Sequence, residues 1–123
     1  MHLPKIFQVN WFRRGDDGRF LWPGFGENLR VLEWILGRCE DRVGAQDTPI
    51  GLLPRAEDLN LEGIDVREGD LAELLAVDVD AWREELEAVA EHLYEYEPRT
   101  PAALKAEQQR IATALGQPVA LDA

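Results

Sequence analysis

The sequence has few of the residues that build disulfides and metal centres. Among its 123 residues are one cysteine, Cys39, and two histidines, His2 and His92, which stand far apart. A single cysteine excludes an internal disulfide and suits a reducing cytoplasm. Because no cysteine or histidine has a companion at ligand spacing, we expect no metal site within this chain.

Long apolar runs are also missing. No stretch approaches the roughly 18 consecutive apolar residues that a membrane-spanning helix requires. The opening residues 1–4, MHLP, have neither the basic start nor the apolar centre of a signal peptide. The sequence therefore predicts no membrane partner and a cytoplasmic location.

Positive charge is scarce overall and unevenly placed. Lysine and arginine number 13 against 24 aspartates and glutamates, which gives a net charge of −11. Such a charge repels nucleic acid, so we expect no nucleic-acid partner. Residues 1–30 nevertheless carry five basic and three acidic side chains, a charge of +2 that leaves −13 for the other 93 residues. We interpret the acidic remainder as solvated helix surface, not as acid/base machinery.

What the sequence does contain is an aromatic loop, residues 11–28, with the sequence WFRRGDDGRFLWPGFGEN. It holds three phenylalanines, two tryptophans, four glycines and a proline within 18 residues. Glycine and proline interrupt helices and strands, so these rings do not lie on regular elements. A loop of this kind can hold rings around a flat ligand, because glycine allows close backbone approach. On composition alone, the rings could instead anchor the loop to a core, and that alternative is the more common one.

The flanking segments predict an α+β chain that is mostly helical. Lys5–Phe12 is rich in β-branched and aromatic residues and predicts a strand. The turn at 15–18 should then return Phe20 towards Phe12, in the manner of a hairpin. A second short strand is predicted at Ile50–Leu53.

About four helices are predicted after the loop. The first begins at Asn28, a natural N-cap, with an apolar stripe at helical spacing. The later helices are capped by Asp70, Asp78 and Thr100, and the last is expected to end at Gly116, with residues 117–123 frayed. The members of the stripe on the first helix are Leu29, Leu32, Ile35, Leu36 and Cys39. We expect one continuous domain fragment, in which 1–65 carries the strand, loop and first helix and 66–123 is an acidic helical region.

Several runs in the first half together resemble GTP-dependent phosphoenolpyruvate carboxykinase in its C-terminal portion. The most distinctive is FLWPGFGEN, residues 20–28. The others are LPKIF at 3–7, VNWFR at 9–13, RVLEW at 30–34, TPIG at 48–51 and DLNL at 58–61. The resemblance implies a fragment of an enzyme several times longer. It also implies that the fold belongs to the C-terminal nucleotide-binding domain of that enzyme.

The resemblance implies a guanine pocket in the aromatic loop. Phe12, Phe20 and Phe25 would surround the base of GTP or GDP, and Asn28 would read its edge together with the backbone of Phe25-Gly26-Glu27. An amide carries both a donor and an acceptor, which suits the guanine edge. The alternative for Asn28 is a plain N-cap. Trp11 is a weaker candidate for lining the pocket, and Trp22 is expected to pack beneath the loop.

The transfer chemistry is not expected in this segment. No GxxxxGK[ST] motif is present to hold phosphates. The resemblance implies oxaloacetate + GTP ⇌ phosphoenolpyruvate + GDP + CO₂, a decarboxylating lyase reaction of gluconeogenesis, with Mn²⁺ and Mg²⁺ bound outside this segment. It implies that the partner of this segment is the remainder of the parent enzyme, and that the parent is a monomer. The isolated fragment is expected to be inactive and to self-associate. The alternative function is an acidic, helix-rich protein-interaction module that binds no nucleotide.

Overall fold

Four helices and a two-stranded sheet make up the regular structure of the computed structural model, which describes residues 2–116. The helices are α1 (Asn28–Cys39), α2 (Asp70–Leu75), α3 (Val79–Glu95) and α4 (Ala102–Gly116), and the strands are β1 (Gln46–Thr48) and β2 (Gly51–Leu53). Single 3-10 turns lie at Phe25–Glu27 and Ala56–Asp58. The mixed, mostly helical composition that the sequence predicts is confirmed at this level.

The described residues divide into two units. The first comprises 2–47 and 52–76, and the second comprises 48–51 and 77–116. Each unit has a small apolar core of its own. The buried apolar side chains of the first are Leu21, Trp22, Trp34 and Leu59, and those of the second are Leu86 and Leu115.

The predicted strand Lys5–Phe12 is wrong. Residues 2–10 have no regular secondary structure, and the side chain of Ile6 is 93% exposed. A strand needs neighbours for its backbone N–H and C=O groups, and the described residues offer it none. Side chains hold the segment instead: the Phe7 ring meets Trp34 edge-on at 6.0 Å, and the Lys5 ammonium donates to the Arg38 carbonyl at 2.7 Å.

The predicted hairpin exists only as a short closure. Arg14 and Phe20 form an isolated antiparallel bridge, and the Leu21 N–H donates to the Arg13 carbonyl at 2.9 Å. The glycine turn between them reverses the chain as predicted and brings the Phe20 ring centroid to 6.1 Å from that of Phe12.

The second predicted strand is confirmed one residue shorter, as β2. Its partner β1 was not predicted, because Gln46–Thr48 has a polar composition and lacks the apolar alternation of a strand. The Thr48 hydroxyl donates to the Gly51 carbonyl at 2.6 Å and closes the turn between them.

Helix α1 is where predicted, but it buries a different face. Trp34 and Gly37 are buried, whereas Leu29, Leu32 and Leu36 of the predicted stripe are 74%, 44% and 59% exposed. Trp34 dominates because its indole both fills the core and donates to the Gly44 carbonyl at 3.1 Å. The predicted stripe therefore faces away from the core of the first unit.

Of the three N-caps predicted for α2, α3 and α4, one is confirmed. The Asp78 carboxylate accepts from the Ala81 N–H at 3.0 Å and caps α3. Asp70 is already the first residue of α2 and accepts from Arg19 instead. Thr100 does not cap either: its hydroxyl donates to the Leu93 carbonyl at 2.5 Å.

Helices α3 and α4 form an antiparallel pair in the second unit. The Arg83 guanidinium, near the start of α3, donates to the Leu115 carbonyl near the end of α4 at 2.7 and 3.0 Å. Gln108 donates to the Leu86 carbonyl at 3.1 Å. The predicted fraying of 117–123 concerns residues outside those that the structure describes.

No helix within 2–116 is long and apolar enough to cross a membrane.

Candidate nucleotide-binding loop

The aromatic loop is anchored by Leu21 and Trp22, not by its phenylalanines. Leu21 and Trp22 are each only 4% exposed, whereas Phe12 is 72% and Phe25 is 91% exposed. Trp22 lies beneath the loop as predicted, with Trp11 at a ring distance of 6.3 Å. Phe12 and Phe25 therefore do not fill a core, and their rings are available to a ligand.

Phe12 and Phe20 form an exposed aromatic pair in the first part of the loop. Their ring planes meet at 64° in an edge-to-face contact. The Arg14 guanidinium carbon lies 4.5 Å from the centroid of the Phe20 ring, a cation–π contact that the sequence interpretation did not anticipate. The contact places a positive charge over a face of the exposed Phe20 ring, where it favours an anionic ligand.

Phe25 and Asn28 lie together in the second part of the loop, at the two ends of a 3-10 turn. Gly24 has φ 125° and ψ −172°, a conformation that only glycine adopts readily. It begins the 3-10 turn, in which the Asn28 N–H donates to the Phe25 carbonyl. Side chains at i and i+3 of such a turn lie on the same side. Within the described residues no ring contact joins Phe25 to the Phe12–Phe20 pair.

The predicted N-cap role of Asn28 is wrong. Asn28 is the first residue of α1, and the helix has no side-chain cap. Its Oδ1 accepts a hydrogen bond from the Trp22 Nε1–H at 2.9 Å. A buried indole N–H requires an acceptor, and this requirement takes the oxygen that would otherwise cap the helix.

Arg30 holds the start of α1 to a distant part of the first unit. Its guanidinium donates to the carbonyls of Asn60 and Glu62, each at 2.7 Å, and to the Glu27 carboxylate. Glu27, one of the predicted site residues, is thus already paired. Sequence analysis missed this arrangement because its carbonyl partners are some 30 residues away in sequence and carry no motif.

An open depression of about 340 Å³ lies beside the turn. It contains two of the predicted site residues, Gly26 and Glu27, but not the three phenylalanines or Asn28. Three carboxylates and one guanidinium line it, so it repels phosphate and suits a donor-rich group. Its lining residues are Gly26, Glu27, Leu29, Arg30, Glu33, Asn60 and Glu62.

The turn at 15–18 is held by ion pairs. The Arg19 backbone N–H and guanidinium both donate to Asp17 at 3.0 Å, and these bonds lower the pKa of that carboxyl below its usual value. The Asp17 carboxylate in turn raises the pKa of Arg19, which also pairs with Asp70 at 3.2 Å. Arg19 therefore pairs with two carboxylates.

The described residues do not fit a metal centre. Across 2–116, no three His, Cys, Asp or Glu side chains converge in a way that could hold a metal ion. What the loop does offer is ring faces and one oriented amide, the groups that a purine-binding surface requires.

Comparison with known proteins places the chain among proteins of one family. Residues 1–114 match the family model described as the phosphoenolpyruvate carboxykinase C-terminal P-loop domain. A protein of Corynebacterium efficiens named phosphoenolpyruvate carboxykinase [GTP] is 54% identical over 99 residues, which are 80% of this chain and 16% of that protein. Proteins of the same name from Neocallimastix frontalis and Paenarthrobacter aurescens are 49% and 44% identical, over 92% and 93% of this chain and 19% of theirs.

The chain therefore belongs to the GTP-dependent phosphoenolpyruvate carboxykinase family, within its C-terminal P-loop domain. It spans only 16–19% of the length of these three relatives. The family resemblance carried by FLWPGFGEN and its neighbouring runs is confirmed.

Proposed function

We propose that this chain is the guanine-binding segment of a GTP-dependent phosphoenolpyruvate carboxykinase. The reaction of the whole enzyme would be oxaloacetate + GTP ⇌ phosphoenolpyruvate + GDP + CO₂, carried out in the cytoplasm by a monomer. The observation that carries the proposal is the exposure of Phe12, Phe20 and Phe25 on one loop, which also carries the Asn28 amide that Trp22 orients, in a chain of this family.

The segment would hold the base while the rest of the enzyme performs the transfer. Each ring stacked on a base contributes roughly 1–3 kcal/mol, and the Phe25 ring can take one face. The Asn28 amide and the backbone of Gly26 and Glu27 would meet the edge. Phosphoryl transfer depends mainly on positioning and charge stabilisation, so holding the base places the γ-phosphate from a distance. The metal ions and phosphate contacts would come from outside this segment.

A nucleotide titration followed by ¹⁵N NMR tests the proposal. GTP should shift the signals of residues 11–28 more than ATP does at the same concentration. Binding should be weak, with a dissociation constant near or above ~1 mM, because stacking and one amide barely offset the lost freedom of the ligand. Phe25→Ala should abolish the shifts. Tyr94→Ala, which removes a ring that is 78% exposed on α3, is the matched control and should leave them unchanged.

The alternative of an acidic interaction module makes the opposite prediction. It expects no response of the loop to any nucleotide. That result, or equal responses to GTP and ATP, would remove the guanine-binding proposal. Micromolar GTP binding by this chain would instead mean that the segment supplies phosphate contacts itself. The proposal that it binds only the base would then be wrong.

A further inference from the structure

We infer that Trp22 sets the purine selectivity of this site, by holding the Asn28 carboxamide with its NH₂ group facing outward. The inference rests on the proposed role of Asn28 at the base edge. Trp22 would not touch the nucleotide. It is a positioning residue that decides which of the two polar atoms of the amide the base meets.

The chemistry of the two groups decides the orientation of the amide. An indole N–H can only donate a hydrogen bond. The Asn28 atom that lies 2.9 Å from the Trp22 Nε1 must therefore be the oxygen. Any other assignment would set two N–H donors against each other.

Burial makes this orientation hard to change. Trp22 is only 4% exposed, so its N–H cannot turn to water without opening the core of the first unit. Rotating the amide by half a turn would leave that buried donor unpaired, which is unfavourable. Since the oxygen is held against the buried Trp22 N–H and does not cap α1, the NH₂ group is the part of Asn28 that we assign to the ligand. Within residues 2–116 no side-chain hydrogen bond from that NH₂ group is found.

A fixed donor distinguishes purines by the group at their six-position. Guanine and hypoxanthine carry a carbonyl there, which accepts from an NH₂ group. Adenine carries an amino group, whose N–H bonds repel another donor. The arrangement therefore predicts that the site accepts GTP and ITP and disfavours ATP. An amide free to rotate could present its oxygen to adenine, and the selectivity would fall.

The test compares two tryptophan variants of this chain. Trp22→Phe removes the indole donor and keeps an aromatic ring. Trp34→Phe is the matched control, because Trp34 is also buried, at 6% exposure, and its indole also donates a hydrogen bond, to Gly44 at 3.1 Å. Dissociation constants for GTP, ITP and ATP are measured by ¹⁵N NMR. We expect Trp22→Phe to lower the GTP-to-ATP and ITP-to-ATP preferences about three- to tenfold, and Trp34→Phe to leave both unchanged.

Asn28→Asp provides a second variant that keeps the acceptor for Trp22 but removes the donor for the base. It should lose the preference for GTP and ITP, and the Trp22 indole N–H signal should move because its acceptor becomes charged. In the unmodified chain that indole proton should exchange with solvent slowly. This exchange measurement needs no variant, so fast exchange would overturn the inference even if Trp22→Phe fails to fold.

The outcomes separate the inference from the proposed function. If the unmodified chain prefers GTP but Trp22→Phe keeps the full preference, the role of Trp22 is wrong and the guanine site stands. Fast exchange of the indole proton, or an indole signal that ignores Asn28→Asp, also overturns it. If the unmodified chain has no guanine preference, the proposed function fails and the inference fails with it.

Discussion

At the scale of single residues, backbone conformation matters as much as side-chain chemistry in the loop. Gly24 lies in a region of φ and ψ that side-chain-bearing residues avoid. A Cβ atom there would meet nothing within 4 Å, and the same holds for Gly26 two residues on. The two positions therefore differ in strain and not in available space.

The variants Gly24→Ala and Gly26→Ala should distinguish an effect on the free energy of unfolding from an effect on GTP binding. Gly24→Ala should lower the free energy of unfolding by about 1–3 kcal/mol, because alanine is strained at this φ and ψ. Gly26→Ala should leave stability unchanged or slightly raised, yet weaken GTP binding if the base lies against its backbone. Denaturant unfolding followed by tryptophan fluorescence gives the stability of each variant. Equal stabilities would contradict the strain argument.

At the scale of elements, α1 depends on a close contact at its end. The helix finishes in a Schellman motif: the Arg42 N–H donates to the Gly37 carbonyl at 2.8 Å, with Asp41 at φ 56°. This turn brings Val43 back onto the helix. A Cβ atom on Gly37 would lie only 2.8 Å from the Val43 Cγ2, so glycine at position 37 is a packing requirement.

Gly37→Ala should therefore reverse the usual effect of this substitution. In an exposed helix interior, a glycine-to-alanine substitution raises the free energy of unfolding by about 1 kcal/mol. At position 37 the overpacking against Val43 should instead lower it by about 1–3 kcal/mol. The measurement is a double-mutant cycle of unfolding free energies with Val43→Ala, which removes the methyl groups that alanine would meet. In the Val43→Ala background, Gly37→Ala should become neutral or favourable. Additive losses would mean that the contact with Val43 is not the cause.

At the scale of the whole molecule, the described residues leave considerable apolar surface uncovered. Leu3 and Ile6 in the N-terminal segment are 76% and 93% exposed, and Leu32 and Leu36 of α1 are 44% and 59% exposed. Exposed apolar side chains favour association when they lie together on a surface. It is also the surface that further parts of a longer enzyme could cover.

The isolated chain should therefore self-associate. It should also catalyse nothing, because the phosphate and metal contacts of the proposed enzyme would lie outside this segment. Sedimentation velocity at several concentrations should give a rising average mass, with no decarboxylation of oxaloacetate and no GTP hydrolysis in assays of the same samples. Leu32→Ser combined with Leu36→Ser should reduce the association. Leu104→Ser is the control, because it removes one leucine of α4 that is 52% exposed, and it should have less effect. A monomer at every concentration would contradict the prediction.

The sequence by itself determined the family, the position of the aromatic loop and most helix positions. These features depend on local order: glycine and proline interrupt elements, apolar spacing marks helices, and Asp78 caps α3 through its own first turn. The run FLWPGFGEN identifies the family because it is long and improbable by chance. Which loop side chains bind a base remains a prediction.

Only the tertiary structure decided how individual side chains are used. Lys5–Phe12 has the composition of a strand but no partner within the described residues, and strand formation depends on partners. Asn28 has the chemistry of an N-cap, but the buried Trp22 indole claims its oxygen. Arg30 carries no motif, yet it binds carbonyls at 60 and 62. In each case the outcome depends on whether folding brings a partner group to the residue. The local residue pattern does not show this.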